Sequence, residues 1–286
     1  METMCRIFGF RSILESHMHE SLISADNALS VQSQQHPDGW GIAYYVHNTP
    51  HVIKSTKSAQ SDVLFPKVSS VVSSNTVIAH IRNATLGEKN ILNTHPFQFG
   101  PWVFVHNGHV KDFEKHRPAL LELIPESTRK YILGTTDSEI LFYIIMGHAA
   151  KTLNIFNQDI PFKELKFRVT EALHMITEVI GRFSKDDVGP TENYITFILS
   201  NGKITLAHHG GKHLYYSTYK KLCGERDSCP FFNLSCENKT PDGKVNHFLV
   251  SSEQLKTNNV WLDFEAGELM GVDQEMNFYK EKIFDF

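Results

Sequence analysis

The order of its apolar runs constrains this chain most. Residues 5–10, 40–46, 76–82 and 102–106 are short runs, rich in β-branched and aromatic side chains and bounded by turn-forming residues. Such runs read as strands. Two stretches of helical period follow, one opened by Thr136-Asp137-Ser138-Glu139 and one over 162–182. Strand-like runs then return at 193–199, 203–208, 213–218 and 248–251. Strands, then helices, then strands is not a βαβ alternation, which argues against a doubly wound parallel sheet. The pattern predicts an α+β fold of two stacked, mostly antiparallel sheets with helices outside.

Local signals fill in this outline. Leu22, Ile23, Ala25, Ala28, Leu29 and Val31 recur near helical spacing over 20–31. The run 40–46 forms a hairpin with Val52 and Ile53, its turn closed by Pro50, and 61–70 reads as a helix. The strand at 76–82 runs into a polar loop over 83–99, and the strand at 102–106 ends at Asn107-Gly108. Pro118 inside the helical stretch 112–124 suggests a fresh helix start. Thr136 and Glu139 have the spacing of a capping box, with Ile140, Leu141, Ile144 and Ile145 on one face behind them. Leu165, Val169, Leu173, Ile176 and Ile180 give the second long helix its inward stripe, and Asn201-Gly202 is the strongest hairpin signal. Residues 261–262 and 268–272 read as a terminal pair around Glu265-Ala266-Gly267, and 222–244 as an irregular insert. Neither a repeat nor a linker interrupts the chain, so residues 5–286 are expected to form one domain.

Composition narrows the function classes. A chain of 286 residues that is 41% hydrophobic and 21% charged can bury a sizeable core. Its net charge of −4 supplies no global basic field for nucleic acid. No membrane span and no secretory signal are read in the sequence. With 4 cysteines it lacks a disulfide framework, so a soluble, cytoplasmic protein is expected. The 16 histidines invite a metal site, but their spacings, like those of Cys223, Cys229 and Cys236, do not supply the tight ligand pairs such a site wants. Neither a metal nor another cofactor is expected.

Polar residues suited to a single chemistry stand at four strand or helix ends, namely Cys5, Arg82, Asn107-Gly108 and Asp137. Each has an ordinary account alone, as a buried thiol, a surface ion pair, a turn and a carboxylate serving a helix dipole. Together they sit in six strings: Cys5-Arg6-Ile7-Phe8-Gly9, Pro37-Asp38-Gly39-Trp40-Gly41-Ile42, Ala79-His80-Ile81-Arg82-Asn83-Ala84-Thr85, Asn93-Thr94-His95-Pro96-Phe97, Val105-His106-Asn107-Gly108 and Thr136-Asp137-Ser138-Glu139. In this order they resemble the N-terminal-nucleophile glutaminase domain of class II glutamine amidotransferases. The stretch 250–253, with Trp261 and Gly267-Glu268-Leu269, is similar to the far end of stand-alone members, including the γ-glutamyl hydrolases of ergothioneine synthesis and glutathione breakdown.

The resemblance implies a four-layer αββα sandwich and a γ-glutamyl substrate such as glutamine. It implies Cys5 as a nucleophile forming a thioester, with its own α-amine as base, and Asn107 and Gly108 as the oxyanion hole. Arg82 would hold the substrate α-carboxylate and Asp137 its α-ammonium, with Thr85 and His95 lining or supporting the pocket. The family nucleophile is the first residue of the mature protein, whereas Met1 to Met4 precede Cys5 here. Either translation starts at Met4, or the four residues are removed, or the chain as written is inactive. Two further readings stay open: an ammonia-supplying subunit for a separate synthase or a peptidase partner, and a non-catalytic γ-glutamyl-binding module.

Overall fold

The computed structural model describes residues 5–17, 22–23, 25, 27–34, 36–83, 87–189, 191–224, 226–227, 232–239 and 243–286. Among them thirteen strands assemble into two antiparallel sheets. The first is seven-stranded. Its centre is β1 (Arg6–His17), flanked on one side by β4 (Ser73–Ile81), β2 (Trp40–Val46) and β3 (Thr49–Ser55), and on the other by β10 (His247–Ser251), β9 (Leu214–Ser217) and β11 (Leu262–Phe264). The second is six-stranded, ordered β5 (Phe97–Phe99), β6 (Trp102–His109), β7 (Tyr194–Ser200), β8 (Thr205–His208), β12 (Glu268–Val272) and β13 (Phe278–Lys282).

The layers follow from side-chain alternation, since successive residues of a strand face opposite ways. Ile7, Ala43, Tyr45 and Ile78 of the first sheet meet Val103, Val105, Ile198, Ala207 and Met270 of the second in the inter-sheet core. Their neighbours Phe8, Trp40, Ile42 and Val77 turn outward under α1 (Leu29–Gln32) and α2 (Leu64–Val71), where Phe65 meets Trp40 edge-on at 5.0 Å. On the far side Trp102, Phe104, Phe197 and Leu206 pack against α3 (Phe113–Glu122), α5 (Asp137–Ala149) and α6 (Phe162–Ile180), with the short α4 (Glu126–Arg129) between them in the chain. The order is helix, sheet, sheet, helix, as expected. The α6 stripe Leu165, Val169, Leu173, Ile176 and Ile180 is buried; each such side chain contributes about 1.5–3 kcal/mol of burial before its entropic cost.

Several local expectations change. The hairpin turns at His47 and Asn48, both left-handed (φ 48° and 65°), so Pro50 lies inside β3. It is tolerated because β3 is an edge strand and needs no donor on its outer side. Pro118 sits inside a continuous α3; the Glu114 carbonyl it leaves unpaired belongs to an exposed residue and can be hydrated. Helix α5 is buried on every face rather than one, because α3 and α6 enclose it against β6. Residues 262–264 and 268–272 do not pair with each other: the first strand joins β9 and the second joins β8, so the chain crosses between sheets at 265–267. β13, which no sequence signal marked, then pairs with β12. Of the helix expected over 20–31, residues 29–31 fall in α1 and residues 22–23 are π-helical, and part of that stretch lies outside the described residues.

Candidate active site

Antiparallel pairing brings the site's first two residues together. Arg6 of β1 is opposite Ile81 of β4, so the start of one strand lies beside the end of the other. Cys5 and Arg82 therefore lie side by side at one end of the middle strands of the first sheet. The half-buried Cys5 thiol donates to the Asn83 carbonyl at 3.2 Å, and Sγ accepts the Asn83 N–H at 3.2 Å. Burial pushes the thiol up to about 11, against the lowering pull of the Asn83 backbone and the nearby Arg82 charge. A thiol in that state is a poor nucleophile unless a neighbouring base takes its proton.

Arg82 is buried, and its guanidinium donates to the Gly87 and Glu88 carbonyls at 3.2–3.5 Å. Burial lowers its pKa, opposed by Cys5 and Asp38. Asp137 opens α5, where Thr136 Oγ1 accepts the Glu139 N–H at 3.4 Å. The reciprocal half of the capping box is diverted: Glu139 accepts from Leu133 and Gly134 instead. The buried Asp137 carboxylate accepts the Val110 N–H at 2.7 Å and the Ser138 N–H at 2.7 Å. These bonds aim it from the helix start toward the end of β6.

Asn107 and Gly108 are not a turn. They continue β6, opposite Thr196 and Ile195. A Cβ at position 108 would stand 2.2 Å from the Tyr194 carbonyl oxygen, so glycine is required by a close backbone approach across the sheet. Gly41 serves similarly: a Cβ there would lie 2.1 Å from the His95 carbonyl oxygen. Its absence lets the His95-Pro96 segment rest on β2 and carries the His95 ring to the site. That ring is buried and stacks on His80 at 4.2 Å, and burial holds its pKa well below the ordinary histidine value.

Cys5, Arg82, His95, Gly108 and Asp137 line one cleft, with about 300 Å³ of free space partly open to solvent, together with Asn83, Asn93, His106, Thr136 and Ser138. Asn107 is not in that wall. It shares strand parity with Val103 and Val105, which face the inter-sheet core. Its amide nitrogen reaches Ser252 Oγ at 3.5 Å, and its buried carbonyl oxygen has no hydrogen-bond partner among the described residues. Thr85 and Met1 to Met4 lie outside the described residues. No group of three or more potential ligands is arranged for a metal among the described residues.

A sequence model of the glutamine amidotransferases class-II matches residues 4–279. The chain belongs to the class-II glutamine amidotransferases. Within this family it is similar to the "Putative glutamine amidotransferase" of Haemophilus influenzae, 30% identical over 242 residues, which cover 81% of this chain and 72% of the relative. A shorter likeness, 29% identical over 115 residues, covers 37% of this chain and 49% of the gamma-glutamyl-hercynylcysteine sulfoxide hydrolase of Mycobacterium tuberculosis. In fold, the amidotransferase resembles a glutamine aminotransferase class-II domain protein from Silicibacter pomeroyi, with a TM-score of 0.61 at 19% identity over 97% of this chain and 99% of that one.

Sequence reasoning gave no role to several residues of this amidotransferase that the cleft brings in. His106 Nδ1 lies 2.8 Å from Ser138 Oγ, whose neighbour is Asp137, and His106 Nε2 lies 3.0 Å from the Tyr194 carbonyl. Asn93 is fully buried and ties the loop before β5 to the start of α5, accepting from Thr135 N at 2.8 Å. Both residues fall within the six motif strings, which was the available signal. Ser252 Oγ accepts the Ile7 N–H at 3.1 Å as well as meeting Asn107. Nothing in the sequence links position 252 to positions 7 and 107.

Proposed function

We propose that this protein hydrolyses γ-glutamyl amides, glutamine among them, through a thioester on Cys5. The observation that carries the reading is the cleft itself, where a thiol, a guanidinium and a carboxylate meet beside a glycine-bearing strand end. Arg82 and Asp137 offer opposite charges suited to the α-carboxylate and α-ammonium of a γ-glutamyl group. In the reaction, the Cys5 α-amine takes the thiol proton as sulfur attacks the δ-carbonyl carbon. The Gly108 N–H stabilises the oxyanion, a contribution worth about 2.7–4 kcal/mol per donor in comparable sites; Asn107, placed beside Ser252, joins it only if its side-chain amide turns from there toward the Cys5 thiol. The protonated amine then gives its proton to the leaving amine, and water resolves the thioester to glutamate.

An α-amine has a pKa near 8, so a usable fraction is free base at neutral pH. That role requires Cys5 to be the first residue, by a start at Met4 or by removal of Met1 to Met4. Hydrolysis is favoured over ammonia supply by the activity for which the mycobacterial relative is named, that of a γ-glutamyl hydrolase.

The test is turnover of glutamine, glutathione and other γ-glutamyl amides by protein whose first residue has been set by intact mass. Protein beginning at Cys5 is expected to release glutamate, and Cys5→Ala to lose at least about a thousandfold in rate while staying folded. Equal turnover by Cys5→Ala, or by protein that keeps Met1 to Met4, would refute the mechanism.

A further inference from the structure

A second groove, with about 610 Å³ of free space that is partly open to solvent, lies where the edge strands β3 and β5 of the two sheets come together beside the start of α5. Its walls are the rings of Phe97, Tyr131 and Tyr143 and the exposed side chain of Leu133. Two opposite charges face it. Lys54 Nζ donates to the Thr94 carbonyl at 2.8 Å and stands 5.7 Å from the Phe97 ring centroid. This uses one of its three donors, and no carboxylate forms an ion pair with it among the described residues. The Glu139 carboxylate is buried and fixed, one oxygen accepting from Leu133 N at 3.0 Å and the other from Gly134 N at 2.6 Å. Burial lowers Lys54 and raises Glu139, and each is partly restored by the other's charge without contact between them.

A partly desolvated ammonium and a held carboxylate that sense each other across aromatic walls form an incomplete set. A solute with one charge would satisfy one side and crowd the other. We propose that this groove is a second binding site, for a free amino acid or short peptide with an aromatic or apolar side chain. Its carboxylate would meet Lys54 Nζ, its ammonium would face Glu139, and its side chain would lie on Phe97, Tyr131 and Tyr143. The groove is separate from the Cys5 cleft but shares both walls with it: α5 carries Asp137 into one and Glu139 into the other, and 95–97 carries His95 into one and Pro96 and Phe97 into the other.

The test is calorimetric titration of the full chain with L-phenylalanine, 3-phenylpropionate and phenethylamine. L-phenylalanine is expected to bind, with each half-ligand at least about tenfold weaker. Lys54→Met and, separately, Tyr131→Ala are each expected to weaken it about tenfold or more; the exposed Tyr131 can be truncated without opening the core. Asp137→Asn is expected to leave this binding unchanged. Absence of L-phenylalanine binding overturns the proposal, as does equal binding of either half-ligand or an unaltered affinity in both groove variants. Loss of binding in Asp137→Asn would place the ligand in the Cys5 cleft and overturn it as well.

Discussion

Replacing Asp137 by asparagine separates the charge of this side chain from its structural work. The carboxylate accepts backbone N–H groups from Val110 and Ser138, each at 2.7 Å, and is buried. An asparagine carbonyl can keep one of those bonds, while the amide NH₂ turns toward the other donor. Stability should therefore fall by about 1–3 kcal/mol, the cost of one buried N–H left unpaired. Loss of the charge should remove the pairing with a substrate α-ammonium, worth about 2–4 kcal/mol in a desolvated site, or roughly 30- to 1,000-fold in kcat/KM. A substrate lacking the ammonium, glutaramate, should not feel that second loss. The assay is a cycle of two proteins and two substrates: native and Asp137→Asn, each with glutamine and glutaramate, at a temperature where denaturant unfolding shows both proteins folded. The expected coupling is the ratio of the two losses, at least about 30. Equal losses on both substrates would mean that Asp137 acts only by holding β6 and α5 in place, and the reading of the cleft would fail.

Two further predictions concern pH. Because burial raises the Cys5 thiol to about 11, a free thiolate would give a rate climbing toward that value, whereas proton transfer to the α-amine should give a rise that levels near 8. A pH profile of kcat/KM still climbing tenfold per unit above pH 9 would exclude the amine as base. Stability should respond at the acid end. Burial lowers His80, His208 and His247 to about 3, so between the ordinary histidine value near 6.5 and that point the unfolded chain binds protons the folded chain refuses. Stability is thus retained above 6.5 and lost as pH falls, by roughly 1 kcal/mol per histidine per unit. Denaturation midpoints unchanged from pH 7 to pH 5 would show that these rings take up protons in the folded state.

The layered fold was legible because its evidence is local. Short runs rich in β-branched and aromatic residues at 40–46, 76–82 and 102–106, bounded by turn residues, mark strands buried on both faces. Several of the failures involve partners distant in sequence. Asn107-Gly108 carries a strong turn signal, yet Gly108 is set by the Tyr194 carbonyl across the sheet, which no local pattern reports. Pro50 pointed to a turn because only the sheet order reveals that β3 is an edge. The crossing at 265–267 was missed because tertiary packing, not propensity, decides which sheet a three-residue strand joins. In the cleft, the motif strings named Cys5, Arg82, His95 and Asp137, but the link from Ser252 to Ile7 and Asn107 spans the whole chain.

β1 is the middle strand of its sheet, paired with β4 on one side and β10 on the other from its first residues. Chain ends ordinarily fray, because terminal residues have too few neighbours to offset their freedom of motion. Here the amides of Ile7 and Phe8 stand among the most enclosed backbone of the molecule, with Ser252 holding the Ile7 N–H from the side. If the chain is trimmed to Cys5, an amino group born at that position inherits this order. Its approach to the sulfur is then restricted by the whole sheet rather than by a loop, so the rotational entropy of assembling base and nucleophile is met once, when the sheet folds, and not again in each turnover.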